Sequence, residues 1–146
     1  AGKVKPTGNV VVVGGGLVGL EVAEHLAGHA DKITVVEMQD RVAKDLGQLR
    51  MICVMENLYR EQINTITNAK CTEIKEKSVV VDANGEVKEI ECDSIVIAIG
   101  ARSRDYSDIA AVCDNKNIKY HVIGDAVRAR RALNSISEAA EVARAI

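Results

Sequence analysis

Three consecutive glycines, Gly14, Gly15 and Gly16, run into Leu17, Val18 and Gly19 directly after four valines at residues 10–13. Glu37 follows Gly14 by 23 positions and closes a second apolar run at residues 33–36. These types at these spacings can hold a dinucleotide. Gly14 permits a tight turn, Gly16 lets the backbone approach a pyrophosphate, and Gly19 lets a helix pack closely on the strand before it. Free amides at the helix start, together with its dipole, favour an anion. A carboxylate about 20 residues further on accepts hydrogen bonds from ribose hydroxyls. The redox chemistry then resides in the cofactor, and no catalytic side chain is expected. A glycine triplet alone is weak, because such turns also serve plain backbone needs. Its context here is a strand before, a helix after, and a second strand ending on an acid. The competing structural reading is a turn kept without its ligand and a Glu37 that is merely solvated.

Charge bears on the choice of cofactor. A carboxylate at Glu37 accepts the 2′-hydroxyl of NAD but faces a 2′-phosphate as a like charge. Two unit charges about 4 Å apart repel by roughly 4 kcal/mol at an effective dielectric near 20, and by less when exposed. Arg41, four positions on, offers a partial fork for a phosphate, and Met38 lies beside the acid. The expectation is NAD(H) in preference to NADP(H).

The elements that must position these residues follow from periodicity. Residues 10–13 read as a buried strand and residues 16–30 as a helix with Leu17, Leu20, Ala23 and Ala27 at helical spacing. A loop at 38–41 leads to a helix from about 45 to 62 with Leu46, Leu49, Ile52, Cys53, Leu58 and Tyr59 as its stripe. A short strand at 63–67 precedes three antiparallel strands at 71–74, 78–81 and 86–90, with a turn signal at 82–85. An apolar strand at 94–99 runs into Gly100, Ala101 and Arg102. Residues 103–117 read as less ordered, 120–123 as a final strand, and the rest as a closing helix after Gly124 and Asp125. The fold class is α/β: a Rossmann-like, mostly parallel sheet with helices and a three-stranded antiparallel meander, three layers in all. Residues 1–8, with the single proline, read as a lead-in linker, and 9–146 as one dinucleotide-binding domain.

Composition narrows the rest. The 146 residues are 47% hydrophobic with no Phe or Trp, which suits a Val/Ile/Leu/Ala-built sheet covered by helices. A net charge of −2 gives no reason to expect nucleic acid or an anionic membrane. No apolar run is long enough to span a bilayer, no signal peptide is recognisable, and a cytoplasmic setting is expected. Cys53, Cys71, Cys92 and Cys113 are widely spaced, without a Cys-x-x-Cys, and read as reduced thiols. His25 and His29 lack a third partner, so no metal is expected. Tyr59, Tyr106 and Tyr120 are not followed four later by Lys, which disfavours a stand-alone dehydrogenase.

The glycine turn, the meander, the sequence Ala98-Ile99-Gly100-Ala101-Arg102 and the late Val122-Ile123-Gly124-Asp125 occur in an order that resembles the nicotinamide-dinucleotide domain of flavoproteins with two dinucleotide-binding domains. The run from Ile123 to Leu133, the segment from Asp40 to Gly47, and Arg50 are similar to the 2-enoate and 2,4-dienoyl-CoA reductases. Ala129 stands where that group often has proline, and Ile99 where the broader superfamily often has threonine. The resemblance implies that NADH docks against Gly14–Gly19, Glu37 and the Gly100–Ala101 turn and passes hydride to FAD. It also implies a flavin half-site at Gly124 and Asp125, with Asp125 bonding the ribityl–phosphate portion, and a place near the nicotinamide for Glu21, whose competing reading is an ordinary helix glutamate favoured by the N-terminal dipole. FMN and an iron–sulfur cluster belong to other domains of that group, among them an old-yellow-enzyme-type barrel that reduces an activated C=C bond. On this reading the chain is an excised module, inactive alone, whose partners are NADH, the FAD domain and the barrel. A non-enzymatic NAD- or nucleotide-sensing domain is the alternative; it needs neither the meander nor Gly124-Asp125.

Overall fold

The computed structural model describes residues 5–44 and 46–146. The first four residues of the expected linker, and Asp45 at the expected start of the second helix, lie outside them. The chain divides into two compact units, one up to Gly100 and one over Ala101–Ile146.

The first unit is built on β-branched residues that favour a pleated, buried surface. Strands β1 (Asn9–Val13), β2 (Lys32–Val36), β3 (Asn64–Ile66) and β7 (Ser94–Ile97) form a parallel sheet in the order β3-β2-β1-β7. Strands β4 (Ala69–Ile74), β5 (Ser78–Ala83) and β6 (Glu86–Glu91) form the antiparallel meander. Asn84 and Gly85 both take positive φ, 56° and 86°, the geometry that a two-residue hairpin needs to match strand twist. The Gly85 N–H donates to Asp82 Oδ1 at 2.7 Å. The α/β class and the meander agree with the sequence reading.

Period-2 alternation gives β1 two buried faces. Val10 and Val12 join Ile33 and Val35 under Leu20, Ala23 and Leu26 of α1 (Leu17–Leu26) and Leu58 of α2 (Gln48–Arg60). Val11 and Val13 join Val36 against Ala69, Val79, Val81 and Cys92 beside the meander. Helices therefore cover one face of the sheet and the meander the other. The α2 helix ends in a Schellman arrangement: Gln62 takes φ 53°, and the Ile63 N–H donates to Leu58 O at 2.9 Å.

Three expectations are corrected. The inward face of α2 is Met51, Val54 and Leu58, whereas Leu49, Ile52, Cys53 and Tyr59 are exposed. The helix has two apolar rows, and spacing alone does not say which one meets the sheet. Residues 103–117, read as irregular, contain α3 (Ser107–Asn115). The Asp, Ser and Asn residues there mark its ends: Asp105 Oδ1 and Oδ2 accept the Ser107 N–H and hydroxyl, and Asn117 at φ 52° closes its C-terminus. Residues 120–123 form no strand, because the second unit offers no strand, among the described residues, for them to pair with. That unit consists of α3, a 3-10 turn (Gly124–Ala126) and α4 (Ala132–Ala145).

The assignment of the α2 face is open to a paired measurement. Leu58→Ala should cost about 2–5 kcal/mol in chemical denaturation. Leu49→Ala, at a position 83% exposed, should stay within about 0.5 kcal/mol. Equal losses would reverse the assignment.

Candidate functional site

The glycine turn sits where β1 ends and α1 begins, and each of its glycines meets a different constraint. Gly14 has φ 109°, and a Cβ there would lie 2.3 Å from the Ala98 carbonyl oxygen after β7. Gly19 passes so close to the turn that a Cβ would lie 1.9 Å from Gly14 O. Gly16 is the opposite case: a Cβ would meet nothing within 4 Å. Its open side leaves the backbone accessible to a ligand. Gly16 is also the N-cap of α1, with no side-chain cap and no acidic residue in the first turn. No side chain therefore caps the amides of that end. Leu17 is half-buried and Val18 exposed beside it.

Glu37 is buried at the end of β2 and is not a solvated acid. Its Oε2 accepts the Gly15 N–H at 2.7 Å and its Oε1 accepts the Gln39 N–H at 2.8 Å. An ionised carboxylate offers about four lone-pair positions, so two such bonds leave capacity for two hydroxyl donors. Gly15 is constrained by side chains: a Cβ would fall 2.7 Å from Val42 Cγ1 and 2.9 Å from Glu37 Cβ.

Val42 and Ala43 are the parts of the site that sequence reasoning did not assign. Both are buried, and the Ala43 N–H donates to Gly15 O at 2.8 Å. The loop after β2 thus folds back over the glycine turn, with Ala43 at φ 55°. Val42 and Ala43 both lie within the segment from Asp40 to Gly47, whose likeness to the 2-enoate and 2,4-dienoyl-CoA reductases was the available signal. Met38 and Arg41 are exposed on this loop. Lys44 Nζ lies 3.0 Å from Asp40 Oδ1 and holds that carboxyl below its usual range. Glu21, on α1, pairs with Arg50 on α2 at 3.8 Å.

Gly100, at φ 93°, ends the first unit, and Ala101 begins the second; both are exposed. Gly124 and Asp125 belong to the second unit. Gly124 is buried at φ 62°, and a Cβ would lie 2.7 Å from Ser135 Oγ on α4. Its N–H donates to Glu138 Oε2 at 2.6 Å, and the other Glu138 oxygen accepts the Arg130 guanidinium. Exposed Asp125 accepts the Arg130 backbone N–H through Oδ1 at 3.0 Å, while its carbonyl accepts the Ser103 hydroxyl at 2.6 Å. The Gly124 N–H, and then Arg130, hold the Glu138 carboxyl below its usual range. An open depression of about 500 Å³ beyond α3, lined by Asp114, Lys119 and Tyr120 among others, contains none of these residues. The four cysteines are free thiols, and burial raises that of Cys92.

Residues 2–134 match the family model for pyridine nucleotide-disulphide oxidoreductases. The chain belongs to the pyridine nucleotide-disulphide oxidoreductase family. It is 37% identical over 121 residues to a bilirubin reductase of Mediterraneibacter gnavus, covering 82% of this chain and 18% of that protein. It is 30% identical over 142 residues to a cinnamate reductase of Clostridium sporogenes, covering 94% and 21%. Among solved structures, a 2-naphthoyl-CoA reductase in complex with 2-naphthoyl-CoA superposes with a TM-score of 0.76 at 26% identity, over 94% of this chain and 21% of that one. The chain thus spans about a fifth of the length of these oxidoreductases. It is a nucleotide-binding domain of the flavoprotein oxidoreductase type, similar to the reductases resembled in sequence. Among the described residues no helix is long and apolar enough to cross a membrane.

Two glycines of the turn should respond in opposite ways. Gly19→Ala should lower unfolding free energy by about 3 kcal/mol, since its Cβ has no room. Gly16→Ala should stay within about 1 kcal/mol in the same denaturation series. In the second unit, the depressed Glu138 carboxyl adds stability above the ordinary glutamate range and loses it as pH falls through the folded-state value. The stability gap between the parent chain and Glu138→Gln should therefore shrink on acidification; a gap independent of pH would contradict the hydrogen bonds described.

Proposed function

We propose that this chain is the NAD(H)-docking module of a multidomain flavin-dependent reductase. The carrying observation is the uncapped α1 N-terminus beside the open flank of Gly16, with a buried Glu37 tied to the same turn through Gly15. The amides of Gly16, Leu17 and Val18 receive the pyrophosphate, and Gly19 keeps the helix close enough to present them. Glu37 uses its two remaining lone-pair positions for the adenosine ribose hydroxyls, with Met38 and Arg41 flanking the adenosine. Bound NADH supplies the hydride for FAD, and this chain orients the nicotinamide without a side-chain acid or base. NAD is preferred over NADP because a 2′-phosphate would meet Glu37 as a like charge.

Gly100 and Ala101 border the dinucleotide, and Gly124 with Asp125 forms half of the FAD site. Exposed apolar residues support a larger parent. Ile109 and Val112 on α3, and Leu133 and Ile136 on α4, are exposed on the second unit, and the chain spans about a fifth of its relatives' length. The remaining FAD wall, the FMN, the iron–sulfur cluster and the barrel then lie in other parts of the parent protein. Residues up to 8 would lead into the module. The substrate class is a conjugated C=C bond, on the analogy of relatives named for bilirubin and cinnamate. Four free thiols fit a reducing cytoplasm.

The test is a titration with NADH and NADPH, read by nicotinamide fluorescence. NADH should saturate more tightly than NADPH. Glu37→Gln should weaken NADH about tenfold, the loss of one charge-assisted acceptor, and NADPH by less. Gly16→Ala should stay folded yet lose both. Equal affinity for the two cofactors, or an unchanged ratio in Glu37→Gln, would remove Glu37 as the ribose reader.

A further inference from the structure

We infer that Glu138 and Arg130 are positioning residues for the flavin half-site, holding the Gly124–Asp125 turn in the shape that FAD meets. This rests on the flavin reading above. Every contact in the argument lies inside the second unit.

Glu138 stands in the second turn of α4, one turn beyond Ser135, against which Gly124 is seated. One Glu138 oxygen takes the Gly124 N–H and the other takes Arg130 Nη2. The same guanidinium returns to the turn, with Nη2 3.5 Å from Gly124 O and Nε 3.2 Å from Arg128 O. The Arg130 backbone N–H holds Asp125 Oδ1. Residues 124–130 are therefore closed on themselves by Arg130 and pinned to α4 by Glu138. An ordinary exposed ion pair contributes little and fixes nothing. This one differs because its carboxylate also accepts a main-chain N–H of the turn, which loses its acceptor if Glu138 is removed.

The consequence falls on Asp125. Its carboxylate is exposed, yet it is held by the backbone N–H of Arg130, the residue whose guanidinium bonds Glu138. A group held in one orientation loses less freedom when it binds than one that rotates. A carboxylate accepts hydrogen bonds, so the ligand atoms it takes are donors, the hydroxyls of a sugar chain among them. The ligand class is a polyhydroxylated nucleotide chain, as in the ribityl portion of FAD.

The experiment uses the complete flavoprotein carrying this chain, stripped of flavin and titrated with FAD, and separately with NADH. Glu138→Ala should raise the FAD dissociation constant about tenfold, and Glu138→Gln by less, because an amide oxygen still accepts the Gly124 N–H. NADH affinity, which depends on the first unit, should be unchanged in both. Asp125→Ala serves as the reference for contact with flavin. If Asp125→Ala weakens FAD while both Glu138 variants leave it unchanged, the positioning role is overturned and the flavin reading stands. If Asp125→Ala leaves FAD unchanged, the flavin reading falls and the inference falls with it. A parallel loss of FAD and NADH affinity in Glu138→Gln would show general destabilisation and overturn the positioning role as well.

Discussion

The hydrogen bond from the Gly15 N–H to the Glu37 carboxylate is the constraint on which the first unit's site depends. It joins the buried carboxyl group at the end of β2 to the turn after β1. Burying a charge is costly unless it is paired or hydrogen-bonded. Here two main-chain donors, the Gly15 and Gln39 N–H groups, meet that cost. Loop 38–43 follows as a result, returning through the Ala43 N–H to the same Gly15 peptide. Gly15 thus has both its N–H and its C=O committed, leaving the neighbouring Gly16 as the open face of the turn.

The two units are held together internally by different physics. In the first, alternating valines of β1 and β2 feed two apolar clusters, one under the helices and one beside the meander. In the second, neither α3 nor α4 has a buried residue, and the defined contacts are polar. Glu138, Arg130, Ser103 and Asp105 supply the specific bonds there. The family match across residues 2–134 takes in both units despite that contrast.

Much of this architecture was legible in the residues. The valine runs, the spacing from Gly14 to Glu37, and the Asp82–Gly85 turn signal specify strands, crossover and hairpin by local rules that tertiary contacts did not override. Three features were not legible there, each for a physical reason. The face of α2 depended on which of two apolar rows the sheet accepts. Helix α3 was hidden because Asp, Ser and Asn are as good at capping as at breaking. Residues 120–123 have strand composition, but a strand exists only with a neighbour. In the site, glycine roles followed from spacing, whereas burial of Val42 and Ala43 did not. An alanine at positive φ carries no sequence mark, and the direction of the Glu37 carboxylate is set by a loop that closes over it.

The absence of a buried apolar residue from α3 and α4 also bears on how the chain opens. Cooperative opening units tend to follow the density of buried contacts, and low-density segments open at small free-energy cost. Amide hydrogens of α3 and α4 should therefore exchange at lower cost than those of β1, β2 and β5, whose residues fill the two apolar clusters. A nick near the junction would leave the sheet and both apolar clusters standing, so the glycine turn outlives the tail in a partly degraded chain.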